Sequence, residues 1–274
     1  MTRRQTWTGI AALAAATLIF IVPFVFIFLM AAKTKQDASR FSFAWPADWQ
    51  LWQNFVEVIQ TRNYMLLLAY FNSTVITVGA VTGLVILAAL VGYVLQRRPG
   101  RMSNVVYGFI LAGLMIPPAV VPTIWVLQGL GLFKTLHGMI LIQIAYNLAF
   151  SVLLYRSFIG TIPRDLDEAA IIDGAKPLQI FWKVVLPLLK PVTVTNIVVQ
   201  SLAVFNDFTN PLYYLPGKEN VTVQLTLYNF QGQFLSQFNL LFMNILLVTI
   251  PPLIVFIFFN RQIVAGMTAG AVKG

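Results

Sequence analysis

Charge is distributed so unevenly along this chain that whole stretches hold none. Between Arg4 and Lys33 lie 28 uncharged residues, between Arg62 and Arg97 there are 34, between Arg101 and Lys134 there are 32, and between Lys134 and Arg156 there are 21. A further 41 separate Glu219 from Arg261. A helix crossing the hydrocarbon core of a bilayer needs about 20 largely apolar residues, so each gap has room for one. Composition points the same way: of 274 residues, 58% are hydrophobic and 10% charged, against roughly a quarter charged in a soluble domain. This excludes a soluble enzyme, a nucleic-acid module and a disordered scaffold. The chain reads as an all-α, polytopic membrane protein.

Six transmembrane helices fit into a single transmembrane domain over 1–274, at about 10–32, 70–95, 104–128, 138–159, 191–213 and 239–260. The first follows Arg3 and Arg4 as a signal peptide would, but its apolar run exceeds the roughly 7–15 residues of one and contains Pro23, so an uncleaved signal-anchor is expected. Residues 33–65 carry seven charges and an aromatic cluster at Phe41, Phe43, Trp45, Trp49 and Trp52, which places them outside the bilayer, against its interface. The amide-rich stretch 216–238 reads as a polar loop. Pro117, Pro118 and Pro122, and the pair Pro251 and Pro252, lie in or beside apolar runs, where kinks or helix ends are expected.

The net charge of +9 suggests no nucleic-acid partner, because no basic run is longer than the pair Arg97 and Arg98 and the cations sit at the edges of apolar segments. Six spans put both termini on one side, together with the 96–103 loop, the 160–190 loop and the tail 261–274. That side holds 12 lysines and arginines and the other holds 6. Positive charge collects on the cytoplasmic side, so both termini are expected to be cytoplasmic.

Catalytic chemistry is missing. The single histidine, His137, cannot make a zinc site or a triad. Without cysteine there is no disulfide and no thiolate metal site. Gly217, Lys218 and Glu219 lack the glycine spacing and the hydroxyl residue of a phosphate-binding loop. The chain is not an enzyme, no metal site is expected, and energy for its task must come from an ion gradient or a partner. Asp207 is the intramembrane acid to consider for ion coupling. It falls about 25 Å along the fifth helix from Pro191, near the outer surface, where an interhelical polar contact is an equal reading.

The 160–190 loop has the most specific pattern. Pro163 suits a first helical turn, and Asp165, Asp167 and Glu168 complement the positive end of a helix dipole. Gly174 supplies the stop, because glycine takes a left-handed conformation without steric conflict. Pro177 opens a second short helix ending near Pro187. The expected product is a bent helical hairpin on the cytoplasmic face, with small Ala169 and Ala170 allowing close approach and charges around an apolar strip.

Glu168, Ala169 and Ala170, then Gly174, Val184, Leu186 and Pro187 at fixed spacing resemble the EAA loop of permease subunits of binding-protein-dependent ABC importers, with Val184 in place of the usual isoleucine. The resemblance runs along nearly the whole chain, through Asn72 and Ser73, Gly129 to Leu132, and Asn206, Asp207, Phe208 and Pro211. Phe205 replaces a tryptophan common in the family. The end, Gly266 to Gly274, resembles that of the second permease subunit of carbohydrate importers of the maltose-permease type.

That resemblance implies a sugar-import permease: a heterodimer with a second permease subunit, a cytoplasmic ATPase dimer that holds the ATP and magnesium, and an extracytoplasmic sugar-binding protein, with no cofactor on this chain. It implies that Glu168, Ala169, Ala170, Asp173, Gly174, Leu186 and Pro187 form the ATPase-coupling surface. Met267, Gly270, Lys273 and Gly274 would reach from the tail toward the ATPases. Asn206, Asp207, Tyr213, Tyr228, Asn229 and Gln231 would lie on the pathway or contact the binding protein. Transport would proceed by alternating access, across a bacterial or archaeal cytoplasmic (inner) membrane. The competing reading is a secondary transporter driven by an ion gradient, which calls for paired midplane acids, discontinuous helices and inverted repeats; the sequence displays none of these.

Overall fold

The computed structural model describes residues 3–231 and 237–271, with side-chain surroundings over 15–228 and 237–260. Every regular element among the described residues is helical. In chain order they are α1 (Arg3–Ala32), α2 (Lys35–Ala38), α3 (Leu51–Arg97), α4 (Arg101–Met115), α5 (Val120–Gly129), α6 (Leu136–Ile159) and α7 (Asp165–Ile172). Next come α8 (Pro177–Ile180), a π-helical turn (Phe181–Val185), α9 (Leu186–Leu188), α10 (Lys190–Phe205), α11 (Thr209–Tyr214), α12 (Val223–Gln231) and α13 (Phe238–Ala271).

Four stretches are long and apolar enough to cross a bilayer: Ala15–Ala32, Leu51–Arg97, Leu136–Ile159 and Phe238–Asn260. Two further candidates are bent pairs, α4 with α5 at 118° and Pro177–Leu188 with α10 at 75°. The span expected at 104–128 divides into two arms of 15 and 10 residues at the prolines where a kink or helix end is expected. At 1.5 Å per residue neither reaches across about 30 Å of hydrocarbon alone. The cause is Pro117, which drives the preceding Ile116 out of helical geometry, to φ −81° and ψ 120°. Discontinuous helices are thus present among the described residues. By contrast, α13 continues through Pro251 and Pro252, where a kink or helix end is expected, although the pair withholds two N–H donors from the helix. The fifth expected span, 191–213, also divides. α10 stops at Phe205 and α11 begins at Thr209, so Asp207 lies just past a helix end rather than inside a helix.

The chain forms two compact units, Met1–Ala69 with Val223–Pro251, and Tyr70–Thr222 with Pro252–Gly274. In the first, the C-terminal carbonyls of α1 are closed by Asn54, whose amide donates to Ala31 O at 2.8 Å and Lys33 O at 2.9 Å. Asn239 donates in turn to Asn54 Oδ1 at 2.8 Å. Lys33, expected in water, is 1% exposed, and its ammonium donates to Ser42 O at 2.6 Å. Trp45 and Trp52 are open, as an interfacial segment requires. The polar loop expected at 216–238 contains α12, with Val223, Leu225 and Thr226 buried. Val223 and Leu225 withdraw their apolar side chains from solvent, and Thr226 is buried with its hydroxyl donating to Val223 O at 2.6 Å. α3 itself is interrupted at Thr61–Tyr64, where Arg62, Asn63 and Tyr64 have positive φ.

In the second unit α3 packs closely against α6. A Cβ at Gly92 would meet the Arg156 backbone nitrogen and Tyr155 Cβ, both at 3.0 Å. Absence of a side chain there is what permits this approach, as small residues do wherever two helices must touch without a hydrophobic drive. Arg156 lies over the Tyr107 ring at 3.6 Å and ties α6 to α4. Ala88, Ala89, Tyr155 and Ile159 form a buried cluster with Phe181, Val185 and Leu189 of the 160–190 loop.

Candidate functional site

The hairpin at 160–190 folds as its residues dictate. Asp165, Asp167 and Glu168 occupy the first turn of α7, where carboxylates balance the unsatisfied N–H groups. α7 closes in a complete Schellman arrangement: Gly174 N–H donates to Ile171 O at 2.9 Å and Ala175 N–H to Ala170 O at 2.9 Å. Gly174 has φ +79°, the left-handed conformation read from the sequence. Lys176 N–H then donates to Gln179 Oε1 at 2.9 Å, and Pro177 begins α8. Pro187 brings no N–H to the helix that continues beyond it, and the turn just before widens to a π-helix.

This hairpin presents an apolar and acidic face. Glu168, Ala169, Asp173 and Gly174 are exposed, and so are Leu166, Ile171, Leu178 and Trp182; Ile172 is 85% exposed. Ala170 and Leu186 are half-buried against the cluster below, and Pro187 is open. Large apolar side chains therefore stand open beside the charges of this hairpin. Asp167 turns the opposite way. It is 8% exposed, with its Oδ2 2.6 Å from Arg97 Nε. The approach lies off the N–H axis, so charge rather than a directed hydrogen bond holds the two together. Tyr93 hydroxyl donates to Asp167 Oδ1 at 3.4 Å.

A second polar constellation runs between α6 and α10. Tyr155 donates to Thr193 Oγ1 at 2.9 Å, Ser151 donates to Asn196 Oδ1 at 3.1 Å, and Gln200 donates to Ser151 Oγ at 3.1 Å. Farther along α6, Asn147 donates to Gln143 O at 2.9 Å, and Gln143 Nε2 donates to Asp207 Oδ2 at 2.5 Å. Asp207 also accepts from Asn210, through the backbone N–H at 3.1 Å and the amide at 2.7 Å. The acid is therefore a hydrogen-bonded cap on α11 and an interhelical contact. Asn206 is exposed, with its amide on Leu202 O at 2.9 Å, and Tyr213 is exposed. Tyr228 is also exposed but belongs to the first unit, as does α12 with Asn229 and Gln231 in its backbone. Met267 and Gly270 lie in the helical backbone of α13, while Lys273 and Gly274 fall outside the described residues.

Sequence reasoning used Asp167 only as a dipole partner and Arg97 only as a charge marker, and it did not single out Tyr93. Their signal was spacing: Tyr93 and Arg97 are four apart at the end of an uncharged run, and so share a helix face. It missed Gln143, Asn147 and Ser151 for want of the same count, since they recur every fourth residue along α6.

Among proteins of known name, the melibiose/raffinose/stachyose import permease protein MelC of Bacillus subtilis is 30% identical over 270 residues, covering 97% of this chain and 96% of that one. The multiple sugar-binding transport system permease protein MsmG of Streptococcus mutans serotype c is 32% identical over 279 residues, again covering 97% and 96%. The fold is shared with a bacterial ABC transporter involved in the import of the acidic polysaccharide alginate, at TM-score 0.82 and 23% identity over 95% of this chain and 98% of that one. Residues 84–269, which include the hairpin and both arms of its buried ion pair, match the family of binding-protein-dependent transport system inner membrane components, and it is to that family that this chain belongs.

Proposed function

We propose that the chain is the permease subunit of an ATP-driven importer of a sugar or oligosaccharide, and that it forms half of the translocation pathway beside a second permease. The observation that carries this reading is the hairpin. A Schellman-closed helix whose Leu166, Ile171 and Ile172 are open to solvent is a surface built for a partner. The partner is a cytoplasmic ATPase, on which ATP and magnesium bind. The sugar-import names of relatives at 30% and 32% identity support the carbohydrate class, and an extracytoplasmic sugar-binding protein would deliver the cargo.

In this reading α4 with α5 makes one span and α10 continued by α11 makes another, six in all, with both termini cytoplasmic and the hairpin, Pro177–Leu188 included, on the side of the positive charge excess. ATP-driven closure of the ATPases pulls the hairpins together and turns the pathway outward. Glu168, Ala169, Asp173 and Gly174 form the open part of the coupling surface, Ala170 and Leu186 brace it from below, and Pro187 lies beyond. The tail from Met267 to Gly274 makes a second approach to the ATPase.

The test is purification of the tagged chain from cells co-expressing its partner permease, ATPase and binding protein, followed by reconstitution with a panel of labelled oligosaccharides. Co-purification of the ATPase and uptake only with ATP present are expected. Accumulation driven by a proton or sodium gradient through this chain alone would overturn the reading.

A further inference from the structure

The open and the buried faces of α7 belong to one short helix and engage different things. Glu168, Ala169, Ile171 and Ile172 are free for a partner, whereas Asp167 is held by Arg97 and Tyr93 at the end of α3. The lacing runs in both directions. Arg97 Nη2 donates to Ile162 O at 3.1 Å and to Pro163 O at 3.5 Å, and Arg164 Nη2 donates back to Gln96 O at 3.3 Å. Both ends of the ion pair are largely withdrawn from solvent, with side-chain exposures of 10% and 12%.

Merely pinning a loop calls for no charge. Burying a carboxylate and a guanidinium together is unfavourable unless each has the other, so the pair resists separation by leaving two unpaired buried charges if it parts. What it joins is a docking element of eight residues and a helix that runs unbroken from Tyr70 to Arg97, about 40 Å of rigid rod. Packed elements of this kind move as discrete bodies, and a firm connection at one end conveys the movement of one into the other.

We propose that Asp167 and Arg97, supported by Tyr93, are positioning residues that carry displacement of the hairpin into α3, so that α7 and the end of α3 move as one piece when the partner ATPase closes. This rests on the reading of 160–190 as the ATPase-docking element.

The chain has no cysteine, so a single pair of introduced cysteines gives a clean distance measurement. Spin labels at Asp165→Cys and Arg98→Cys, both exposed positions, bracket the connection without touching it. In the purified complex with its ATPase, one narrow label-to-label distance is expected, unchanged between the nucleotide-free state and the state trapped with ATP, magnesium and vanadate. Adding Asp167→Asn should leave the ATPase co-purifying but abolish that single distance in the ATP state, giving a broadened or divided distribution. The exchange Arg97→Asp with Asp167→Arg should restore it. A distance that changes on ATP binding in the otherwise natural chain overturns the proposal, even if Asp167→Asn fails to insert. So does an Asp167→Asn complex as rigid as its parent, or one that has lost its ATPase. A natural chain that retains no ATPase at all brings down the permease reading itself.

Discussion

Gln143 on α6 donates a hydrogen bond of 2.5 Å to Asp207, 64 residues later and just past the end of α10. Gln143 is 2% exposed, so its amide has this carboxylate and the neighbouring Asn147 as its described partners. Asp207→Leu removes the acceptor and strands a buried donor, a loss of about 1–3 kcal/mol. A lowered unfolding temperature in detergent is expected. Asp207→Asn should fall between the natural chain and Asp207→Leu. ATP-driven uptake by the Asn variant should be independent of the proton gradient; a gradient requirement lost only in this variant would restore Asp207 as an ion-coupling acid.

At Gly174 no atom lies within 4 Å of an added Cβ, yet φ is +79°. Steric room is available and backbone conformation is not, so the effect of substitution is conformational alone. Gly174→Val should strain the turn by about 1–3 kcal/mol and misalign α8 against α7. That is enough for up to roughly a hundredfold weaker docking. Full-length protein in the membrane with reduced co-purifying ATPase is the expected result, and Ala169→Trp should act similarly by filling the open face. Undiminished ATPase binding in both variants would remove the hairpin from the coupling surface.

Two glycines should respond with opposite sign. Gly92→Ala places a Cβ 3.0 Å from the Arg156 backbone nitrogen, and overpacking of this kind is destabilising by about 1–3 kcal/mol. Gly108 in α4 has nothing within 4 Å of an added Cβ, so Gly108→Ala should be neutral or stabilising by up to about 1 kcal/mol. Thermal unfolding of the two single variants side by side measures the difference. Equal behaviour would mean that α3 and α6 do not cross at Gly92.

Deleting Met267–Gly274 leaves every apolar stretch intact, so insertion should persist while ATP-driven uptake falls. Quantitative uptake with matched membrane levels decides it: full transport by the truncated chain would deny the tail any role.

The helical class and the four single helices long and apolar enough to cross a bilayer were legible because both depend on where charge is absent, which a linear string displays directly. The turn at Gly174 was legible because one residue type and one offset determine it. The break after Ile116 was visible as proline but not as a bend of 118°, since the direction a chain takes after a helix ends depends on what it packs against. Pro251 and Pro252 show the converse, for the same residue type left α13 continuous. Asp167 shows the limit most plainly. Its place in the first turn was readable, but its face was not, because the choice between solvent and Arg97 is made by a helix end 70 residues earlier.

The Schellman closure of α7 bears on the speed and order of assembly. An element whose last carbonyls are already occupied by Gly174 and Ala175 N–H groups has little conformational freedom left to surrender when a second protein arrives. Ordering a loop on contact subtracts from affinity, and encounters that await such ordering are slower than diffusion allows. An incoming subunit that met this hairpin would find a finished surface, so the pace of complex formation would be limited by how often the two proteins collide in the right orientation.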